Sequence, residues 1–333
     1  MNKGSTLNED STTEWIEIIS RYNKPDKVKS WWQIINSVGS YIVLWIIMIQ
    51  TIRISYWLTL LLAVFAAGFM IRTFIIFHDC GHGSFFKSKR FNKIVGIITG
   101  LMVFTPYHMW HHEHHIHHQT VGNLDKRGTG DVKTLTVTEY SKLSKWQRFS
   151  YRLYRNPVFL FGVAPILIFI VLQRLTKKNM SVKNKLYVHL STLTLIGVII
   201  LLMLAIGWKT FILIQLPVLY IATVHGVWLF YIQHQFRDVL WTNTDNWDYK
   251  TTALQGSSLF RLPALLNWFT GNIGYHHIHH LSPAIPNYNL KRCHYENPLF
   301  REIKPITFLS AFESLSLRLW DENRKLLVRF NEI

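Results

Sequence analysis

Four stretches of this chain, residues 34–50, 54–77, 188–207 and 210–232, are apolar over lengths close to the ~20 residues that a helix needs to cross a bilayer. A backbone inside hydrocarbon finds no water to bond to, so such runs fold as helices whose N–H and C=O groups satisfy one another. Only a few residues separate the first run from the second and the third from the fourth, which predicts two helical hairpins. Two further apolar runs are weaker: residues 94–105 are too short to span, and residues 157–173 are marginal. Lys and Arg concentrate at 87–93, 126–155 and 174–185, while the hairpin tips carry little charge. That asymmetry places the basic loops in the cytoplasm and the tips outside.

Parity gives a second criterion. Two identical "HHIHH" pentapeptides, at residues 114–118 and 276–280, are separated by three apolar runs. Clusters that meet at one site must lie on one side of the bilayer, so residues 157–173 are expected to lie on or dip into the interface. The expected fold class is therefore an all-α integral membrane protein. About four spanning helices form two hairpins, two apolar segments do not span, and a cytoplasmic helical cap holds a histidine-rich two-metal site. On this reading residues 1–33 are a cytoplasmic or interfacial segment, 34–322 the membrane domain and 323–333 a cytoplasmic tail. The protein is placed in the cell membrane as a multi-pass protein with both termini inside.

Composition narrows the partners. The chain is 49% hydrophobic with a formal charge of +17, and its apolar runs make anionic lipid headgroups or an acidic soluble protein the expected counter-charges rather than nucleic acid. Two cysteines are too few for a thiolate-held iron–sulfur cluster or a disulfide framework. The segment through Tyr22 is polar and does not read as a secretory leader. Arg72, near the inner end of the second run, is expected to snorkel to the surface.

The histidines carry the chemistry. In "HDCGH", His78 and His82 stand at i and i+4 on one face of a helix. In each "HHIHH" the first, fourth and fifth residues share a face, giving His114, His117 and His118, then His276, His279 and His280. These are more imidazoles than one tetrahedral ion takes, so two metals fit better than one. His234, at the inner end of the last run, is a ninth candidate. Asp79, Glu113, Asp245 and Asp248 are candidates to accept hydrogen bonds from the outer ring nitrogens. His189, His225 and His294 stand alone and read as packing residues. A loose metal-buffering tract would not need a repeated helical spacing. The stretch "WHHEHHIHHQ" also admits a second register, His111, His114 and His115, but the residue-for-residue match of 114–118 to 276–280 favours His114, His117 and His118.

"HDCGH", "HHIHH" and "HHIHHL" together resemble the three histidine boxes of the integral-membrane fatty acid desaturases. The similarity spans residues 54–322 through "FHDCGHGSFF", "NLDKRGTGDV", "YRLYRNP", "VWLFYIQHQF", "GSSLFRLP" and "LNWFTGNIGYHHIHHLSP". It is closest to bacterial acyl-lipid desaturases of the cold-response type. The extra His111, His112 and His115 depart from the simple box. The resemblance implies an O2-dependent enzyme that places a cis double bond in acyl chains of membrane phospholipids, at the Δ5 position in the nearest subtype. It further implies two iron ions, a dry kinked tunnel for the chain, and electrons from a separate donor such as ferredoxin or flavodoxin. The rival readings are a membrane hydroxylase or ketolase with a similar histidine layout and, from another class, a histidine-rich metal transporter. A transporter would need ionisable residues along a path through the spans, and these runs offer few.

Overall fold

The computed structural model describes residues 9–128 and 130–333. Four helices are long and apolar enough to cross a membrane: Lys27–Thr51, Tyr56–His82, Val182–Ile206 and Trp208–His234. They match the four expected runs and form the two hairpins. The first starts earlier than its apolar run, because Asp26 caps it by accepting from the Val28 and Lys29 amides. The second hairpin turns at Gly207, whose φ of +85° suits a residue without a side chain.

Burial divides the spans into inner and outer. The second and fourth cross on small residues, Ala63, Ala66 and Ala67 meeting Ile214, Val218 and Ala222, which lets two backbones approach where lipid offers no hydrophobic drive to associate. Only 6% of the residues in the apolar stretch of Val182–Ile206 are buried, so this helix lies on the outside of the bundle. One polar group inside the bundle joins the two hairpins. Gln215 accepts from Tyr41 Oη at 2.9 Å and from Trp45 Nε1 at 3.0 Å, as an environment without water demands.

The two weaker runs form Lys89–Met102 and Phe159–Arg174. The latter is bent by 49° from the helix Lys145–Tyr154, and at 1.5 Å per residue it reaches only about 24 Å, short of the ~30 Å hydrocarbon core. Arg72 departs from expectation. It is buried, with its guanidinium 4.0 Å from the centroid of the Trp268 ring, and it donates to the Trp268 carbonyl and to Asn36 Oδ1. A partner inside the protein replaces the surface it was expected to reach.

Outside the spans, short helices build a cap stitched by two small sheets. Leu135–Thr136 pairs in parallel with Leu319–Asp321, which pairs antiparallel with Leu326–Val328; Leu259–Phe260 pairs with Pro305–Ile306. Residues 323–333 are thus no free tail: Leu327 and Val328 are fully buried in a hairpin that the boundary at 322 would cut. The N-terminal helix Glu9–Ser20 is likewise attached, with Ile19 and Tyr22 packed beside Ile278, Leu281 and Leu290. At the centre of the cap Arg155 is fully buried and donates to the carbonyls of Lys133 and Leu317, to Tyr231 Oη and to Gln235 Oε1. It ties the basic loop, the C-terminal hairpin and the end of the fourth span together.

Candidate metal centre

Four pieces of chain deliver the histidines. The second span carries His78 and His82 in its last turn and stops at Gly83, where a left-handed residue (φ +72°) ends the helix. The helix Tyr107–Thr120 lies against it and against Lys89–Met102 because Gly81 on the former and Gly96 on the latter leave room: a Cβ at these positions would meet Trp110 at 2.5 Å and Tyr107 at 2.4 Å. This helix turns His114, His117 and His118 inward and leaves His111 and His115 exposed. The register predicted from the repeat is the one that faces the interior. The fourth span ends on His234, and the short helix His276–Leu281 is buried along its whole length.

The imidazoles form two groups. His78, His82, His114 and His279 place their ligand nitrogens within 4.8 Å of one another, and so do His117, His234, His276 and His280. His118 borders both: its Nε2 is 3.1 Å from that of His114 and 3.0 Å from that of His279, while its ring stacks on His280 at 4.2 Å. The remaining close contacts are also Nε2 to Nε2, His78 to His114 at 3.2 Å, and His276 to His234 and to His280, each at 3.0 Å. Two imidazole nitrogens about 2.1 Å from one ion stand roughly 3.0 Å apart at a right angle and roughly 3.4 Å apart at a tetrahedral one. The spacing therefore fits ligation with near-right angles.

Ring tautomers point the same way. His78 donates through Nδ1 to Asp79 and His234 through Nδ1 to the Gly256 carbonyl, which leaves a bare lone pair on each inward Nε2. The buried Nε2 atoms of His82 and His117 have no partner. Burial first, and crowding by neighbouring imidazoles second, hold His114, His118, His276, His279 and His280 well below the ordinary histidine pKa. Neutral rings with inward lone pairs are what a transition metal binds. The donor set fits two nitrogen-ligated ions.

This arrangement sits on a recognisable chain. The family model described as fatty acid desaturase matches residues 55–307, about three quarters of the sequence. The chain belongs to the fatty acid desaturase family. A fatty acid desaturase of Bacillus subtilis (strain 168) is 44% identical over 95% of this chain and 90% of its own length. A Synechocystis sn-1 acyl-lipid omega-3 desaturase (ferredoxin) is 30% identical over 66% of this chain and 61% of its own, and the Nostoc protein of the same description 30% over 74% and 68%. The protein is thus a membrane oxidoreductase of fatty acids with histidine clusters able to hold metal.

In this desaturase the carboxylates sort differently from expectation. Asp79 does meet an imidazole: its Oδ1 is 3.1 Å from His78 Nδ1, and its Oδ2 accepts from the backbone and side-chain nitrogens of Asn287 at 2.7 and 2.8 Å. Glu113, Asp245 and Asp248 do not. Glu113 points off the helix to Lys177 at 3.2 Å, Asp245 is exposed in a short turn, and Asp248 caps the helix Tyr249–Gln255 through Thr251. The residue that sequence reasoning missed is Asp131, whose Oδ1 lies 2.7 Å from His117 Nδ1. Burial works to raise the Asp131 carboxyl, but the His117 contact, helped by His234, outweighs it and holds the pKa below the usual carboxylate value. The signal was present in "GTGDV": Gly130 has φ +71°, and a Cβ there would sit 2.9 Å from that of His117, so only glycine lets the loop lie down on the helix. His189, His225 and His294 belong to neither histidine group.

On the membrane side of the site the walls are aromatic. Trp110 packs at 4.9 Å from Phe77 and 5.4 Å from His78, with Phe74 behind it. Below, a narrow apolar gap lies among Tyr41, Met70, Thr73, Met102 and Val103. On the other side a cavity of about 200 Å³ opens between His82, His114 and His118 and the surface histidines His111 and His115.

Proposed function

We propose that this desaturase introduces a cis double bond into acyl chains of membrane phospholipids, at the Δ5 position, using two histidine-held iron ions, O2 and electrons from a separate protein. The observation that carries the reading is the pair of four-imidazole groups at the inner ends of two spanning helices, where an acyl chain in the bilayer is nearest. Relatives described as acyl-lipid desaturases support the substrate class. The overall balance takes two hydrogens from adjacent methylenes and two electrons and two protons from outside, and reduces O2 to two waters.

Bound iron would supply the oxidising power that an unactivated C–H bond requires. The chain's own residues do the rest. His78, His82, His114, His279 and the border residue His118 would hold one ion, and His117, His234, His276 and His280 the other. Asp79, Asp131 and the Gly256 carbonyl fix ring orientation and tautomer, which sets how strongly each nitrogen binds. Trp110, Phe74 and Phe77 exclude water between the metals and the acyl chain, which protects reactive chemistry from side reactions.

The electron donor is read as a small acidic ferredoxin or flavodoxin. The charge of +17 supports it, as does ferredoxin in the descriptions of the Synechocystis and Nostoc relatives. The cap, both termini and the loop 174–185 are placed in the cytoplasm of a cell-membrane protein, on the strength of the basic loops.

The test is expression in a host that lacks unsaturated straight-chain lipids, followed by gas chromatography and mass spectrometry of its phospholipids. The expected result is a new cis olefin at Δ5 in esterified chains, dependent on O2. Hydroxylated or keto products without olefin would overturn the assignment, and an olefin at another carbon would overturn the Δ5 position alone.

A further inference from the structure

Two exposed imidazoles are left over by the metal centre. His111 and His115 stand at i and i+4 on the outer face of Tyr107–Thr120, with rings 6.3 Å apart and within 9° of parallel. A histidine pair at this spacing on one helix face is a known way for a helix to offer two nitrogens to one divalent ion. They also line the cavity of about 200 Å³ whose inner wall is His82, His114 and His118. We propose that His111 and His115 form a loading site, which captures a divalent transition metal from solution and passes it through this cavity to the inner histidines. The proposal rests on the reading of those inner histidines as an iron centre.

Three features favour transit. First, the volume is far above the roughly 10–15 Å³ that admits a single water, so an ion enters with part of its hydration shell. Metal dehydrated in one step would lose all its water ligands at once; here imidazoles replace them in stages. Second, ligand number rises inward, from two imidazoles at the mouth to four in each inner group. A two-ligand site holds an ion weakly and releases it to a richer one. Third, the membrane side is closed to ions by Trp110, Phe74 and Phe77, and the partnerless Nε2 of His82 belongs to the cavity wall.

Capture requires the two rings to turn toward a shared ion, which their exposure permits. His115 Nε2 now accepts from the Gln119 amide at 3.0 Å, a contact on the exposed face that a metal would displace. Glu113, the nearest carboxylate on this helix, is already engaged by Lys177, so capture depends on the imidazoles and not on a carboxylate trap.

The test uses the full-length protein, stripped of metal, as wild type and as H111A/H115A, with H111N/H115N as a second exposed-surface variant that keeps polarity. Iron(II) uptake is followed by rapid quench and elemental analysis, and the iron-loaded proteins are titrated with Ni2+. The expected result is that both variants load roughly tenfold more slowly or worse, the scale on which local capture raises an on-rate, yet reach the wild-type iron content. Iron-loaded wild type should bind one further, weakly held Ni2+ per chain that both variants lack. Equal loading rates, or no additional Ni2+ in wild type, overturn the loading site and leave the iron centre standing. A wild type that takes up no iron overturns both.

Discussion

Asp79→Asn is the sharpest test of how the first histidine group is set. The carboxylate bridges two demands: Oδ1 accepts from His78 Nδ1, and Oδ2 accepts twice from Asn287. An asparagine of the same shape meets only one of them. With its NH2 towards Asn287, it sets donors against two donors, and each buried donor left unpaired costs about 1–3 kcal/mol. With its oxygen towards Asn287, both of those bonds survive and the NH2 faces His78. The second orientation wins by roughly 2–6 kcal/mol, less the cost of moving the His78 ring proton. His78 Nδ1 must then accept, which moves the ring proton to Nε2 and removes the lone pair aimed at His82, His114 and His279. Loss of an orienting partner typically weakens metal binding by about 10–100-fold, or about 1.4–2.8 kcal/mol. The assay is iron retained per chain after equilibration with graded chelator. D79N should lose about one of two irons at a chelator level that leaves wild type intact, because His117, His234, His276 and His280 do not touch Asp79. Retention of both irons at wild-type strength, or equal loss of both, would refute the tautomer argument.

The second group has its own counterpart: Asp131→Asn should lower iron retention by about 10–100-fold through His117, and Gly130→Ala should do the same while also destabilising the fold, since its Cβ would sit 2.9 Å from that of His117. Chelator titration and thermal unfolding check both. His117→Ala or His118→Ala should abolish desaturation and lower iron content, whereas H112A, whose ring reaches only Asn179, should keep substantial activity; the reverse pattern would move the ligand register outward. Both native cysteines are buried, and burial pushes the Cys293 thiol up to about 12. At pH 8 neither should react with maleimide until the protein is unfolded, so a single cysteine placed at Lys178 reports the side of loop 174–185, with labelling from outside intact cells contradicting the cytoplasmic placement.

Much of this was legible because the bilayer and the metal are both strict about spacing. A helix that must cross hydrocarbon advertises itself by length, and the four apolar runs became four helices with ends shifted, most of all at the start of the first, which the Asp26 cap extends. Histidines at i, i+3 and i+4 likewise announce a face. What escaped depends on partners brought from elsewhere. Glu113 is adjacent to His114 in sequence but about 100° around the helix from it, so proximity along the chain misled. Asp131 lies on a loop whose path is set by Gly130. The strands at Leu319–Asp321 and Leu326–Val328 are too short for any alternation to show, and they exist because Arg155 and the cap give them something to pair against.

Each inner histidine group draws on three or more separated pieces of chain, and both require the segment His276–Leu281. In polymer language, an ion bound there closes loops from His78 to His279 and from His117 to His280. Neither loop exists until most of the protein has left the ribosome, so metal enters a finished chain. Once bound, each ion would act as a reversible cross-link, one tying the second span and the other the fourth to the helices Tyr107–Thr120 and His276–Leu281. The entropy of a loop that long is a large part of what unfolding would regain, and the ion withholds it for as long as it stays bound.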